Sequence, residues 1–166
     1  MNIILTGLRG SGKTSLGKVL AKKLKLDFID MDTLIEKQEN KTIAKIVEEK
    51  GWDHFRNLEK NAAQELGESN ETVISTGGGT MIDQANEKSL KKNGRIVYLY
   101  RSPEDCLNYT KRDKKRPPLT DATNELEEME LMYKERNGRY CQSAFRVLKR
   151  TEDLKKDAEE LISILF

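Results

Sequence analysis

The chain is predicted to be an α/β protein with a parallel sheet covered by helices on both faces. Three observations predict this. Short apolar runs alternate along the chain with longer segments of helical pattern, as they do in β-α-β units. Residues 2–6 ("NIILT") and 95–100 ("RIVYLY") are almost continuously apolar, which is typical of strands buried on both faces. A glycine-rich segment leads from the first run into the first helical segment, where such folds bind phosphate.

The predicted elements alternate along the chain. The predicted strands are residues 3–6, 28–30, 72–75, 95–100 and 145–148. The predicted helices are residues 14–24, helices between 33 and 65, and residues 83–92, 103–111 and 153–165. Residues 112–123 ("RDKKRPPLTDAT") are polar and contain two adjacent prolines, so they are predicted to form a loop. Loops of that length inside a compact domain are commonly lids or binding segments.

Length and composition limit the possible functions. With 166 residues the chain fits one domain, and its formal net charge of +2 does not indicate a nucleic-acid partner. Cys106 and Cys141 lack metal-binding or CxxC spacing, so we expect reduced thiols in a cytoplasmic protein. Since no apolar run is long enough for a signal peptide or a membrane span, we expect no membrane partner.

Residues 7–14 ("GLRGSGKT") match the P-loop pattern GxxxxGK[ST]. Backbone N–H groups of such a loop lie at a helix N-terminus and cradle phosphate. The pattern predicts that Lys13 reaches the β- and γ-phosphates of a nucleoside triphosphate and that the Thr14 hydroxyl binds Mg²⁺. The alternative is a glycine-rich turn with a solvated lysine, which the complete pattern disfavours.

One segment resembles part of a GTPase switch. Residues 110–113 ("TKRD") fit the TKxD element that recognises guanine, but the sequence contains no DxxG element to sense the γ-phosphate. We therefore interpret these residues as part of the basic loop.

Two carboxylates, Asp30 and Asp32, come at the end of the second predicted strand. A spacing of two residues directs both to one side, at the sheet edge where α/β proteins bind ligands. One can face a metal ion while the other faces a substrate hydroxyl. Asp32 can instead simply cap the following helix. The sequence leaves both interpretations open.

Arg56 and Glu59 are three residues apart on a predicted helix and can contact each other. They can form a surface ion pair, or the carboxylate can orient the arginine toward a bound anion. Residues 77–79 are three consecutive glycines after a predicted strand. Such a run is costly because glycine loses the most backbone freedom on folding. A plain flexible turn is one interpretation, and close approach of the backbone to a ligand is the other.

Six segments, taken in order and at their spacings, resemble the shikimate kinase family: "GLRGSGKTSLG", "FIDMD", "GWDHFRNLE", "ISTGGGT", "RPPL" and "ERNGRY". The resemblance runs from residue 2 to about residue 145. It implies a three-layer P-loop kinase fold with a five-stranded parallel sheet in the order 2-3-1-4-5, helices on both faces and a lid loop. The implied single domain, residues 1–166, contains the P-loop (7–14), a substrate-binding helical region (32–66) and the lid (112–124).

The resemblance implies transfer of the γ-phosphate of ATP to the 3-hydroxyl of shikimate, in aromatic amino acid biosynthesis. One Mg²⁺ per subunit is implied, and we expect a monomer. Asp32 would hold the shikimate hydroxyls and act as, or orient, the base. The other implied catalytic residues are Lys13 and Arg116, the latter in the lid.

The same resemblance implies the remaining binding residues. Those for ATP are Gly10, Ser11, Gly12, Lys13, Thr14, Ser15, Arg112 and Arg116. Those for shikimate are Asp32, Arg56, Glu59, Gly77, Gly78, Gly79 and Arg136. Thr14, and Asp30 through a water molecule, would hold the Mg²⁺.

The sequence departs from the family pattern in three places. Pro118 stands in the lid where leucine is usual. Gly138 and Arg139 replace a common Pro-Leu pair, so Arg139 competes with Arg136 for the shikimate carboxylate, although alignment on "ERN" favours Arg136. The segment after Leu148 lacks an Asp-Thr turn often found near the adenine, which leaves the adenine contacts open.

Two other functions compete with shikimate phosphorylation. One is phosphorylation of gluconate by a kinase of the same fold, and the ordered FRxxE and GGG segments favour shikimate over it. The other is a catalytically inactive nucleotide-binding module. Inactive copies usually lose a catalytic residue, whereas this chain keeps Lys13, Thr14, Asp32 and Arg116.

Overall fold

The computed structural model describes residues 1–110 and 124–166. Within these ranges the strands are β1 (Asn2–Thr6), β2 (Asp27–Asp30), β3 (Thr72–Ser75), β4 (Gly94–Tyr100) and β5 (Arg146–Lys149). The helices are α1 (Lys13–Leu24), α2 (Met31–Glu39), α3 (Ile43–Gly67), α4 (Gln84–Lys91), α5 (Pro103–Thr110), α6 (Glu125–Ser143) and α7 (Leu154–Leu165). A 3₁₀ turn at Thr80–Ile82 precedes α4.

The strands form one parallel sheet in the order β2-β3-β1-β4-β5. Every residue of the central strand β1 is buried. The register aligns the carboxyl ends of neighbouring strands, because Ser75 is opposite Leu5 on one side and opposite Asp30 on the other. The predicted fold class and strand order are confirmed.

Alternate residues of β1 contact the two helical layers. Ile3 and Leu5 pack into a cluster with apolar residues of α1 and α7, among them Leu16 and Leu161. Ile4 packs into a second cluster on the opposite face of the sheet. That cluster includes residues from α2, α3, α4, α5 and α6: Ile35, Ile46, Leu90, Cys106 and Met132. The helices therefore cover both faces, as the sequence predicts.

The helices of the structure differ from the predicted helices in two places. The helices predicted between residues 33 and 65 are α2 and α3, and α3 is interrupted at Gly51, whose φ of 81 and ψ of 171 are not helical. Helix α6 was missed in the sequence analysis. Its Asn137-Gly138 pair is a strong turn signal, and Met129, Met132, Tyr140 and Ser143 are its buried residues. Burial of Met132 and Tyr140 on the core stabilises the helix despite this pair.

The predicted lid falls almost entirely outside the described residues. Asn124, its last residue, accepts a hydrogen bond from the Glu127 backbone N–H and so caps α6. Arg112 and Arg116 lie outside the described ranges. Nowhere in residues 1–110 or 124–166 is there a helix with the length and apolar character needed to cross a membrane.

Candidate active site

The P-loop connects β1 to α1 and curves tightly at its glycines. Gly10 and Gly12 have φ values of 83 and 85, which side-chain-bearing residues rarely adopt. Lys13 folds back over the loop, and its Nζ donates to the carbonyl oxygens of Gly7 at 2.8 Å and Leu8 at 2.9 Å. The side chain is buried at 9% exposure. The ammonium group therefore lies against the loop that matches the P-loop pattern.

Thr14 and Asp30 contact each other beside this loop. The Thr14 hydroxyl donates to Asp30 Oδ2 at 2.7 Å and lies 3.4 Å from the Ser75 hydroxyl. A hydroxyl and a carboxylate are oxygen groups of the kind that Mg²⁺ binds in proteins, where waters and phosphates complete its coordination. In residues 1–110 and 124–166, no cluster of three or more His, Cys, Asp or Glu side chains offers an alternative metal site.

The two aspartates differ from the expected arrangement. Strand β2 ends at Asp30, and Asp32 lies in the first turn of α2 rather than at the strand end. The helix cap is Asp30, which accepts a hydrogen bond from the backbone N–H of Thr33 at 3.2 Å. The interpretation of Asp32 as the cap is therefore wrong. Asp32 instead faces the glycine run, since a Cβ built on Gly77 would lie 3.1 Å from Asp32 Oδ1.

Arg56 and Glu59 form a partly buried pair. Arg56 Nη1 donates to Glu59 Oε2 at 2.9 Å, while the Thr80 hydroxyl donates to Glu59 Oε1 at 2.7 Å. The Glu59 side chain is only 2% exposed, whereas that of Arg56 is 37% exposed. The interpretation as a surface pair is therefore wrong. The buried carboxylate fixes Arg56, whose side chain remains partly accessible.

The glycine run allows close packing. Residues 77–79 all have φ outside the positive region, so the run does not serve a left-handed turn. A Cβ on Gly79 would lie 2.5 Å from Arg56 Nη1, and one on Gly77 would lie 2.8 Å from Glu59 Oε1. Both distances are shorter than side chains tolerate. A side chain at Gly77 or Gly79 would therefore displace the end of the Glu59 or Arg56 side chain that packs against the backbone there.

Gly78 lies between Arg136 and the P-loop. A Cβ built on it would lie 3.2 Å from Arg136 Nη1 and 3.7 Å from the backbone nitrogen of Arg9 in the P-loop. The Tyr140 hydroxyl donates to the Gly78 carbonyl. Burial raises the pKa of Tyr140 to about 12, against the opposing effect of Arg136. The phenol therefore stays protonated and keeps donating at neutral pH.

A pocket of about 400 Å³ opens beside the glycine run, a volume suited to a small molecule. Its lining residues are Arg56, Glu59, Gly79, Ile82, Asp83, Asn86, Glu135 and Arg136. Two arginines from different helices therefore line one pocket.

Arg139 lies elsewhere, although it is only three residues from Arg136. Its Nη2 donates to Glu87 Oε2 at 2.6 Å and its Nε to the Met81 carbonyl at 3.3 Å. Arg139 lines a separate, open surface groove next to α4. The structure thus places in separate pockets two arginines that compete for one role in the sequence.

Comparisons with known proteins identify the family of this chain. The family model for shikimate kinase matches residues 9–166. A curated shikimate kinase from Persephonella marina is 39% identical over 146 residues, which is 88% of this chain and 87% of the relative. The chain belongs to the shikimate kinase family. It is therefore a kinase, and the predicted enzyme class is confirmed.

Solved structures of the shikimate kinase family superpose closely. A shikimate kinase from Acinetobacter baumannii, in complex with shikimate, matches with a TM-score of 0.94 at 33% identity over 99% of this chain and 92% of that one. A gluconokinase from Sinorhizobium meliloti covers 99% of this chain and 90% of that one, with a TM-score of 0.60 and 14% identity. This second likeness is one of fold alone. The competing assignment to gluconate therefore gains no support.

Two arginines with buried side chains lie beside the P-loop of this shikimate kinase family member, and neither was predicted from the sequence. Arg101, directly after β4, donates to the carbonyls of Gly10 at 3.1 Å and Thr151 at 3.2 Å. Arg150, directly after β5, donates to the carbonyl of Ser11 at 3.2 Å. Each follows the carboxyl end of a parallel strand, the position from which ligand sites in α/β sheets are built. That position was the available signal.

Proposed function

We propose that the chain transfers the γ-phosphate of ATP to the 3-hydroxyl of shikimate. The nucleotide would bind the P-loop and shikimate the pocket lined by Arg56 and Arg136. The observation that carries the proposal is the position of Gly78, which lies close to the Arg136 guanidinium and to the P-loop backbone. A substrate bound against the glycine run would therefore lie next to the phosphate cradle.

Two arginines would bind the shikimate carboxylate. Guanidinium groups suit carboxylates because they donate two parallel hydrogen bonds in a fixed plane. Arg56 is fixed by Glu59 at 2.9 Å, and the Arg136 guanidinium lies close to Gly78. The Acinetobacter baumannii relative holds shikimate, which supports the same ligand for this pocket.

Asp32 would position the attacked hydroxyl and accept its proton as the new P–O bond forms. Its carboxylate borders Gly77, on the same side of the turn as Glu59. A base in phosphoryl transfer must lie within hydrogen-bond reach of the nucleophile. Lys13 would neutralise charge on the β- and γ-phosphates, and the rest of the catalysis is positioning.

Thr14 would bind Mg²⁺ directly through its hydroxyl, and Asp30 through a water molecule. Their contact of 2.7 Å beside the P-loop supports this pairing. When bound, the ion would neutralise phosphate charge. Arg116, in the lid, would reach the transferring phosphoryl, and Arg112 would lie near the adenine or the phosphates. These two roles rest on the family resemblance, since both residues lie outside the described ranges.

The test is an ADP-release assay with shikimate, gluconate and quinate compared in parallel, with and without Mg²⁺. We expect Mg²⁺-dependent turnover with shikimate and little with the other two. Faster turnover on gluconate would overturn the choice of substrate. Turnover unchanged by a chelator would remove the proposed metal site.

We further propose that the enzyme is monomeric and works in the cytoplasm. Cys106 and Cys141 are both free, which supports a reducing compartment. Size-exclusion chromatography with light scattering measures the first property, and an elution mass of twice 19.0 kDa would contradict it.

A further inference from the structure

A buried ion pair lies behind the P-loop, in the segment that joins β5 to α7. Arg150 Nε donates to Asp157 Oδ2 at 2.7 Å, and the two side chains are 3% and 0% exposed. Arg150 Nη1 also donates to the carbonyl oxygens of Ser11 and Gly12, each at 3.2 Å. One guanidinium thus connects the C-terminal segment to two consecutive P-loop carbonyls.

Asp157 holds this arginine in place. Besides Arg150, it accepts hydrogen bonds from the Thr151 backbone N–H and from the Thr151 hydroxyl at 2.7 Å. Burial acts to raise the pKa of Asp157, but the hydrogen bonds from Thr151 and Arg150 outweigh it and keep the pKa below its ordinary value. A carboxylate satisfied in this way restricts the arginine to one orientation.

The carbonyl contacts determine where the neighbouring N–H groups point. The described peptides are all trans, and in a trans peptide the C=O and N–H groups point in opposite directions. With the Ser11 and Gly12 carbonyls directed at Arg150, the N–H groups of Gly12 and Lys13 are directed away from it. These N–H groups belong to the helix N-terminus that cradles phosphate. A cation at the carbonyl also polarises the peptide and strengthens its N–H as a donor.

Gly12 fits this arrangement closely. Its φ is 85, and a Cβ on it would lie 2.4 Å from Arg150 Nη1. The glycine thus serves the loop conformation and also leaves space for the arginine.

We propose that Arg150, held by Asp157, is a positioning residue for the nucleotide. It fixes the Ser11–Gly12 and Gly12–Lys13 peptides with their N–H groups toward the β-phosphate, so affinity for ADP and ATP depends on it. The inference rests on the proposed function only in that the nucleotide binds the P-loop.

The experiment titrates wild type and Arg150→Lys with ADP, AMP and shikimate by calorimetry. Lysine keeps the charge, but its single nitrogen cannot hold Asp157 and two carbonyls together. We expect the dissociation constant for ADP to rise about tenfold, the factor for one charge-assisted hydrogen bond. The constants for AMP, which lacks a β-phosphate, and for shikimate should stay near the wild-type values.

Arg95→Lys is the matched control, because Arg95 donates to the Leu165 carbonyl at the far end of α7. It should leave all three constants unchanged. Asp157→Asn is the second variant, since it releases Arg150 without altering the arginine itself. It should also weaken ADP binding more than AMP binding. It serves as the test if circular dichroism shows that Arg150→Lys does not fold.

Three results are decisive. An equal loss of affinity for ADP, AMP and shikimate would show a general structural role of Arg150 and overturn the inference. Unchanged ADP affinity in the folded variants would overturn it as well. Failure of the wild-type enzyme to bind ADP would instead overturn the proposed nucleotide site.

Discussion

Arg136 and Arg139 lie less than one turn apart on α6, yet their side chains have different partners. Arg136 lines the pocket and lies close to Gly78, whereas Arg139 pairs with Glu87 at 2.6 Å. We predict that Arg136→Lys raises the dissociation constant for shikimate about ten- to a hundredfold, because a charge-assisted hydrogen bond is lost. Arg139→Lys should leave shikimate binding nearly unchanged. Calorimetric titration of both variants measures the difference.

Two controls accompany this pair of variants. ADP affinity should be unchanged in both, because the P-loop is intact, and circular dichroism should show the same fold. The opposite ranking of the two variants would assign the shikimate carboxylate to Arg139. It would then contradict the assignment of Arg136.

Tyr140 supports the glycine run through its hydrogen bond to the Gly78 carbonyl. Tyr140→Phe leaves that carbonyl without the hydroxyl, which should lower the free energy of unfolding by about 1–3 kcal/mol. We also predict a KM for shikimate raised severalfold with a smaller change in KM for ATP. Urea unfolding and steady-state kinetics measure the two effects. Equal increases in both KM values would contradict a role specific to the glycine run.

The sequence predicted those site residues whose signal is local. The P-loop pattern identified Lys13 and Thr14, and a spacing of three residues identified the contact between Arg56 and Glu59. The contacts of Arg101 and Arg150 with the P-loop join residues 91 and 139 positions apart. No spacing rule covers contacts over such distances, because they form only when the folded sheet brings the carboxyl ends of its strands to one edge.

The same distinction holds for whole elements. Strand β3 was predicted with its exact bounds, because an apolar run directly precedes the glycines. Helix α6 was missed because its Asn137-Gly138 pair is a turn signal, although Asn124 caps the helix and its first turn is acidic. Only part of its surface is buried, and Gly138 lies within it without ending it. Packing against the sheet decides such elements, and a single sequence does not display that packing.

The segment between β5 and α7 offers a test at the scale of an element. We predict that Asp157→Asn lowers the free energy of unfolding by about 3–5 kcal/mol at pH 7, because it leaves Arg150 buried without its countercharge. The folded-state pKa of Asp157 lies below its ordinary value. Its contribution is therefore present above about pH 4 and is lost as the pH falls through the folded-state pKa.

The measurement is urea unfolding of wild type and Asp157→Asn at pH 7, 4 and 3. The difference in the free energy of unfolding between the two proteins should become smaller toward pH 3. Glu49→Gln is the control, because Glu49 pairs with Lys41 but both side chains are solvent-accessible, at 35% and 43%. It should change stability little at any pH. A difference for Asp157→Asn that stays constant with pH would contradict the charge-based explanation.

At the scale of the whole molecule, the site combines residues from nearly the full length of the chain. Lys13, Asp32, Arg56, Gly78 and Arg136 come from five different elements or connections. They come together because the strands run parallel, so their connections leave from one edge of the sheet. A ligand bound at this edge contacts several elements together. It should therefore stabilise the fold as a whole.

This gives a prediction for thermal unfolding. A ligand that binds only the folded state stabilises it by about 2.7 kcal/mol at one hundred times its dissociation constant. For a chain of this size each kcal/mol raises Tm by about 2–4 °C, so shikimate should raise Tm by about 5–10 °C. At the same shikimate concentration Arg139→Lys should show the full shift and Arg136→Lys a much smaller one. Differential scanning calorimetry measures these values, with gluconate as the control ligand. An equal shift with gluconate would show that the two arginines recognise any hydroxylated carboxylate, and that the pocket does not select shikimate.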